Sequence, residues 1–154
     1  CSFAEPRLNS ISIELAELGY YLNDYQKKNL FEEEEFQYLA RRYFLLEIKG
    51  YVLYNELKEQ CHIENNVILY FYSTEDEDSE KQGYVLDKIV DRSNGTVDVF
   101  SLNKDFEGDF ALDTVKLYYN ITQAPTIIIN GEIKKEGYLN YEEIKELLNT
   151  TSFI

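Results

Sequence analysis

Six apolar residues in a row, Val67-Ile68-Leu69-Tyr70-Phe71-Tyr72, stand between Asn65-Asn66 and a polar stretch from Ser73 to Glu80. A run of this kind reads as a strand buried on both faces, at the centre of a sheet. Beyond it, helices and strands alternate. A helix is expected from about Ser79 to Arg92, with Tyr84, Val85, Ile89 and Val90 available for burial. Asn94-Gly95 makes a turn, and Val97-Asp98-Val99-Phe100 alternates as a strand. After an acidic loop comes a helix from about Leu112 to Tyr119, then Ala124-Pro125 and the strand Thr126 to Ile129. Asn130-Gly131 is a strong hairpin-turn signal and returns the chain through Ile133 to Glu136. Asn140-Tyr141-Glu142-Glu143 caps a last helix running to Leu148, with Glu143 as the capping-box acid.

The residues before the strand have another rhythm. From about Glu5 to Leu30, the residues Leu8, Ile11, Leu15, Leu18, Leu22 and Tyr25 recur in steps of three and four, the seam of one helix packed lengthwise on another. From about Glu32 to His62 a second helix repeats it through Phe36, Leu39, Tyr43, Leu46, Leu53 and Leu57, with Gly50 in the seam. The acidic start of that helix suits the macrodipole and reads as a solvated end. A short turn around Asn29 to Phe31 makes the pair an antiparallel hairpin roughly 40 Å long, at about 1.5 Å per residue. The expected division is a helical hairpin over residues 1–63 and an α/β domain over 65–150.

Pairing about that turn places residue i beside roughly residue 62 − i, so Cys1 falls beside Cys61. These are the chain's two cysteines. A Cys1–Cys61 disulfide is the leading expectation; two unrelated thiols and a lipidated Cys1 are the alternatives. The chain starts at Cys1 and contains no methionine, which leads to the expectation that an upstream signal or membrane anchor has been removed. An oxidising, extracytoplasmic compartment fits the disulfide.

Charge removes several function classes. Lys+Arg 15 against Asp+Glu 29 gives a net charge of -14, which argues against nucleic-acid and anionic-membrane binding. No apolar run approaches the roughly 20 residues of a membrane span. No nucleophile elbow, phosphate-binding glycine loop or zinc-protease motif occurs. His62 adjoins Cys61, but neighbours on a helix point about 100° apart, so no catalytic Cys-His pair is expected. Glu75, Asp76, Glu77, Asp78 and Glu80, and again Asp105, Glu107, Asp109 and Asp113, read as solvated loops and helix starts; no metal and no cofactor are expected.

The buried strand Val67–Tyr72, the loop opening a helix after it, the Ala124-Pro125-Thr126 step and the hairpin before Gly137 together resemble the thioredoxin superfamily. The likeness covers about residues 65 to 150. It implies a thioredoxin-like fold, a central mixed sheet flanked by helices, here preceded by the long antiparallel helical hairpin. It also implies a cis bond at Pro125, facing the site loop. Thioredoxin-like oxidoreductases carry Cys-x-x-Cys where that loop enters the helix, because the helix N-terminus lowers the thiol's pKa. Here Asp76 and Ser79 occupy those positions, and no thiol follows Cys61. A carboxylate does not exchange disulfides. The resemblance thus implies a redox-inactive module that docks a peptide or protein partner through Asp76, Glu77, Asp78, Ser79, Ala124, Pro125 and Thr126. The alternatives are an oxidoreductase relative using Cys1 and Cys61, and a structural or assembly protein acting through the hairpin.

Overall fold

The computed structural model describes residues 1–2, 4–28 and 33–151. The turn expected around residues 29–31 lies outside them. The apolar run is strand β1 (Asn66–Tyr72), whose five inner residues are all buried. Side chains alternate along a strand, so Val67, Leu69 and Phe71 face one way and Ile68 and Tyr70 the other. Both faces therefore need cover.

The sheet has the order β2-β1-β3-β4, with β2 at Val97–Asn103, β3 at Thr126–Ile129 and β4 at Ile133–Glu136. Strand β2 runs parallel to β1, and β3 runs antiparallel to it in the register Ile68↔Ile129 to Phe71↔Thr126. A parallel neighbour needs a crossover, supplied by helix α3 (Glu77–Arg92). On one face Leu86 and Ile89 of α3, with Ile144 and Leu148 of helix α5 (Tyr141–Thr151), pack on Ile68, Tyr70, Ile127 and Ile129. Asn140 and Glu143 make the reciprocal bonds of the capping box at the start of α5. Asn130 and Gly131, both at positive φ, form the β3–β4 turn.

The opposite face is covered by helix α4 (Phe110–Tyr119) and by helix α2 (Glu33–Cys61). Ala40, Phe44, Ile48 and Tyr51 of α2 join Val67, Leu69, Phe71, Phe100 and Leu102 in one core. Helix α2 thus carries two apolar stripes, one toward the sheet and one toward helix α1 (Ala4–Lys28). The two helices are antiparallel, for Glu14 meets Arg42, Gly19 lies near Tyr43, and Ile11 lies near Gly50. Cys1 and Cys61 close the pair as a disulfide, with Cα atoms 5.7 Å apart. Gly50 is packed between Ile11 and the sheet: a Cβ there would sit 2.8 Å from the Phe100 ring.

Candidate functional site

Strand β1 delivers the chain to a short loop, and α3 starts directly behind it. Asp76 is the N-cap of α3 in extended conformation. Its Oδ2 accepts from the Ser79 backbone N–H at 3.0 Å and from the Ser79 hydroxyl at 2.6 Å. The helix therefore starts two residues before the expected Ser79, because a capping carboxylate satisfies an otherwise unpaired donor. The Ser79 Oγ accepts in turn from Ser73 N–H at 3.1 Å, and the Tyr70 hydroxyl donates to the Ser79 carbonyl. Burial raises the Tyr70 pKa, so the hydroxyl stays a donor.

Ser79 is 4% exposed and its hydroxyl is used inside the loop, so its side chain has no access to a partner. Glu77 and Asp78 are exposed and Asp76 is half-buried. Glu75 precedes them at φ 61°, left-handed backbone that a non-glycine residue adopts at a cost.

The register Phe71↔Thr126 sets the start of β3 beside the end of β1, so the Ala124–Pro125 step lies at the α3 end of the sheet. The Ala124–Pro125 bond is cis. The Pro125 carbonyl accepts from Gly137 N–H at 2.8 Å, and the Thr126 hydroxyl donates to the Gln123 carbonyl. Thr126 and Pro125 are buried, whereas Ala124 is half-exposed. Among the described residues, the Ala124 N–H and C=O have no hydrogen-bond partner. That leaves one donor and one acceptor open beside the cis-proline.

The cysteines are elsewhere. Cys61 ends α2, five positions before β1 begins, whereas Asp76 follows the far end of β1. The strand between them spans roughly 20 Å at about 3.3 Å per residue. Its sulfur bonded to Cys1, Cys61 makes no pair with His62, which is exposed just beyond the helix.

Among the described residues no group of three or more His, Cys, Asp or Glu is arranged to hold a metal ion. The second acidic group is dispersed into other tasks. Asp109 caps α4 by accepting from Leu112 N–H, Asp113 pairs with Lys116, and Asp105 pairs with Lys104 at 2.6 Å. Hydrogen bonds from Lys104 and Ser73 hold the Asp105 carboxyl below its usual range. Through Ser73 the β1–α3 and β2–α4 loops are tied together.

Two features escaped the sequence reading. Glu47 of α2 is only 6% exposed, and burial pushes its carboxyl up to about 7 despite hydrogen bonds from the Tyr43 hydroxyl and the Ser101 backbone. Its sequence signal was the stripe Ala40, Phe44, Ile48, Tyr51, which has Glu47 on its flank. The other is a cleft of about 920 Å³ between the α1–α2 pair and the loops after β1 and β2. No local pattern announces it, because its walls come from segments as far apart as Gly19 and Glu107.

Chloroplastic thioredoxin z is similar over 62% of this chain and 84% of its own, at 19% identity and a TM-score of 0.50. The fold is thioredoxin-like. Two further solved structures are similar more loosely: a malarial protein (14% identity, 58% of this chain and 99% of that one, TM-score 0.48), and thioredoxin-2 of the malaria parasite (16%, 56% and 82%, TM-score 0.49). No protein-family model matches the chain, and no curated protein matches it. In this thioredoxin-like chain, α2 packs directly on the sheet through Ala40, Phe44, Ile48 and Tyr51.

Proposed function

We propose that this chain is a redox-inactive thioredoxin-like module that binds an extended peptide or protein segment beside cis-Pro125. The observation that carries the reading is the pairing of Asp76 with Ser79: a carboxylate and a buried hydroxyl, bonded to each other, occupy the α3 start. Neither attacks a disulfide. The open N–H and C=O of Ala124 supply what an extended segment needs to add as a strand. Exposed Glu77 and Asp78, with half-exposed Asp76, bias the segment toward basic side chains.

Catalysis through Cys1 and Cys61 is disfavoured, since those sulfurs are bonded at the opposite end of β1 from the cis-proline. The same disulfide supports a compartment outside the cytoplasm. Among the described residues no helix is long and apolar enough to cross a membrane. Exposed Tyr20, Tyr21 and Tyr38 favour a second reading, association through the helical pair, which light scattering over a range of concentrations tests.

Panning phage-displayed random peptides on the full chain tests docking. The expected result is an enriched extended motif whose binding is lost in Ala124→Trp, with the thermal melt unchanged. No enrichment, or a motif indifferent to Ala124→Trp, overturns the reading. Turnover of insulin disulfides by the wild-type chain would overturn the redox-inactive part.

A further inference from the structure

The geometry points to the cleft beside the α1–α2 pair as a second docking pocket, one that takes a large apolar side chain flanked by lysine or arginine. This deepens the docking reading and rests on it for the partner's being a polypeptide. The cleft's volume of about 920 Å³ is enough for several side chains. Half-buried Leu22, Tyr43 and Tyr72 make its accessible apolar wall, over a floor of Ala40, Phe44 and Phe106 that is already buried in the core. Such a surface gains from an aromatic or branched aliphatic side chain, because apolar area leaves water.

The rim has the opposite chemistry. Glu75, Asp105 and Glu107 line it, and no Lys or Arg does. Asp105 is committed to Lys104 and Ser73, but among the described residues neither Glu75 nor Glu107 has an ion-pair partner. Within a chain of net charge -14 these carboxylates repel an acidic segment and attract a basic one. A lysine or arginine stem also suits the tyrosine walls, Tyr43 and Tyr72, over which it can lie with its charge toward the rim.

Position links this pocket to the cis-proline groove. Strand β1 lies between β2 and β3, so the loop after β1 has the groove on its β3 side and the cleft on its β2 side. Thr74 and Glu75 of that loop line the cleft, and Asp76 follows at the α3 start. A segment running past Ala124 and across this loop would present its next side chains to the cleft. The helical pair thus adds specificity to a site whose backbone contacts alone are indifferent to sequence.

Fluorescein-labelled peptides GKKFKKG, GKKAKKG and GEEFEEG, titrated against the full chain at physiological salt, test the pocket. GKKFKKG is expected to bind at least tenfold more tightly than either of the others. Glu75→Lys with Glu107→Lys should weaken it at least tenfold, as should Gln37→Trp, which fills the cleft from its half-exposed wall; melts of each variant check the fold. Ala124→Trp should change it less than twofold, which separates this pocket from the groove. Equal affinity for the three peptides, no saturable binding of GKKFKKG, or indifference to both cleft variants would overturn the proposal. So would loss of binding in Ala124→Trp, since the peptide would then be in the groove. Cleft binding without any Ala124-dependent peptide would sink the groove reading alone.

Discussion

Replacing Glu47 by glutamine should change how stability depends on pH, in a direction the structure specifies. The side chain is 6% exposed between α2 and β2, where burial raises its pKa from 4.5 to about 7. Tyr43, Tyr72 and the Ser101 backbone surround it. Neither tyrosine brings a compensating positive charge, and their own pKa values are raised by burial. In the unfolded chain the carboxyl loses its proton near its ordinary value, and in the folded protein only near 7. Between those values the native state holds more protons, so stability falls as pH rises. The favourable contribution is complete below pH 4.5 and gone above about 7. An interval of 7 − 4.5, at about 1.36 kcal/mol per pH unit, corresponds to roughly 3 kcal/mol. Glutamine keeps the shape and an acceptor for Ser101 but does not titrate. Urea unfolding of both proteins from pH 4.5 to 8 at constant ionic strength measures the effect, and the other acidic groups cancel in the difference. Wild-type stability minus variant stability should drop by about 3 kcal/mol across that range. A difference that stays flat, or that rises with pH, would refute the assignment of Glu47 as a buried acid ionised only at a cost.

Gly50→Ala should destabilise the fold by about 1–2 kcal/mol in a urea melt, because its Cβ meets Phe100 at 2.8 Å and the ring must shift. In a Phe100→Leu background the same change should turn neutral or stabilising, as helix propensity is gained without the clash. The double change Cys1→Ser with Cys61→Ser removes a bridge across 60 positions and should cost about 2–4 kcal/mol, read from the urea midpoint under non-reducing conditions. Asp76→Cys with Ser79→Cys should create insulin-disulfide turnover that the proposed reading expects the wild type to lack, since the Ser79 N–H that bonds the carboxylate would then face a thiolate. Absence of turnover in a folded, fully reduced variant would show that the site lacks more than its thiols.

Much of the fold is legible in local pattern. The run at β1, the Asn130-Gly131 turn, the Asn140–Glu143 box and the seam through Ile11, Leu18, Leu46 and Leu57 all act over a few residues, so one-dimensional reading reaches them. The second stripe of α2 does not stand out, because Ala40, Phe44, Ile48 and Tyr51 interleave with the seam. A helix apolar on two faces has little net direction to its hydrophobicity. The acidic groups read as solvated loops and helix starts, but their pattern does not say which acid caps: Asp76 and Asp109 each do so, and each helix begins two residues before the expected position. Strand β2 continues past Phe100 to Asn103, because Leu102 is fully buried by α2 and α4 residues that no short window contains. The groove was reachable through the Ala124-Pro125-Thr126 step. The cleft was not, since it exists only once α1, α2 and two loops have met.

On the reading proposed above, the residues at the start of α3 keep a thioredoxin-like architecture without its exchange chemistry. A helix N-terminus presents unpaired N–H groups and partial positive charge, and either a thiolate or a carboxylate satisfies them. With Asp76 there, the Ser79 N–H is bonded, Ser79 fills the space behind, and Tyr70 ties the turn to the sheet. The geometry needs an anion at that point but not a nucleophile. Exchange chemistry can therefore be absent while the loop still presents Ala124 on one side and the acidic rim of the cleft on the other. A helical pair that brings apolar walls to that rim makes selective docking the property this arrangement supports, and the Ala124 and Glu107 variants separate its two halves.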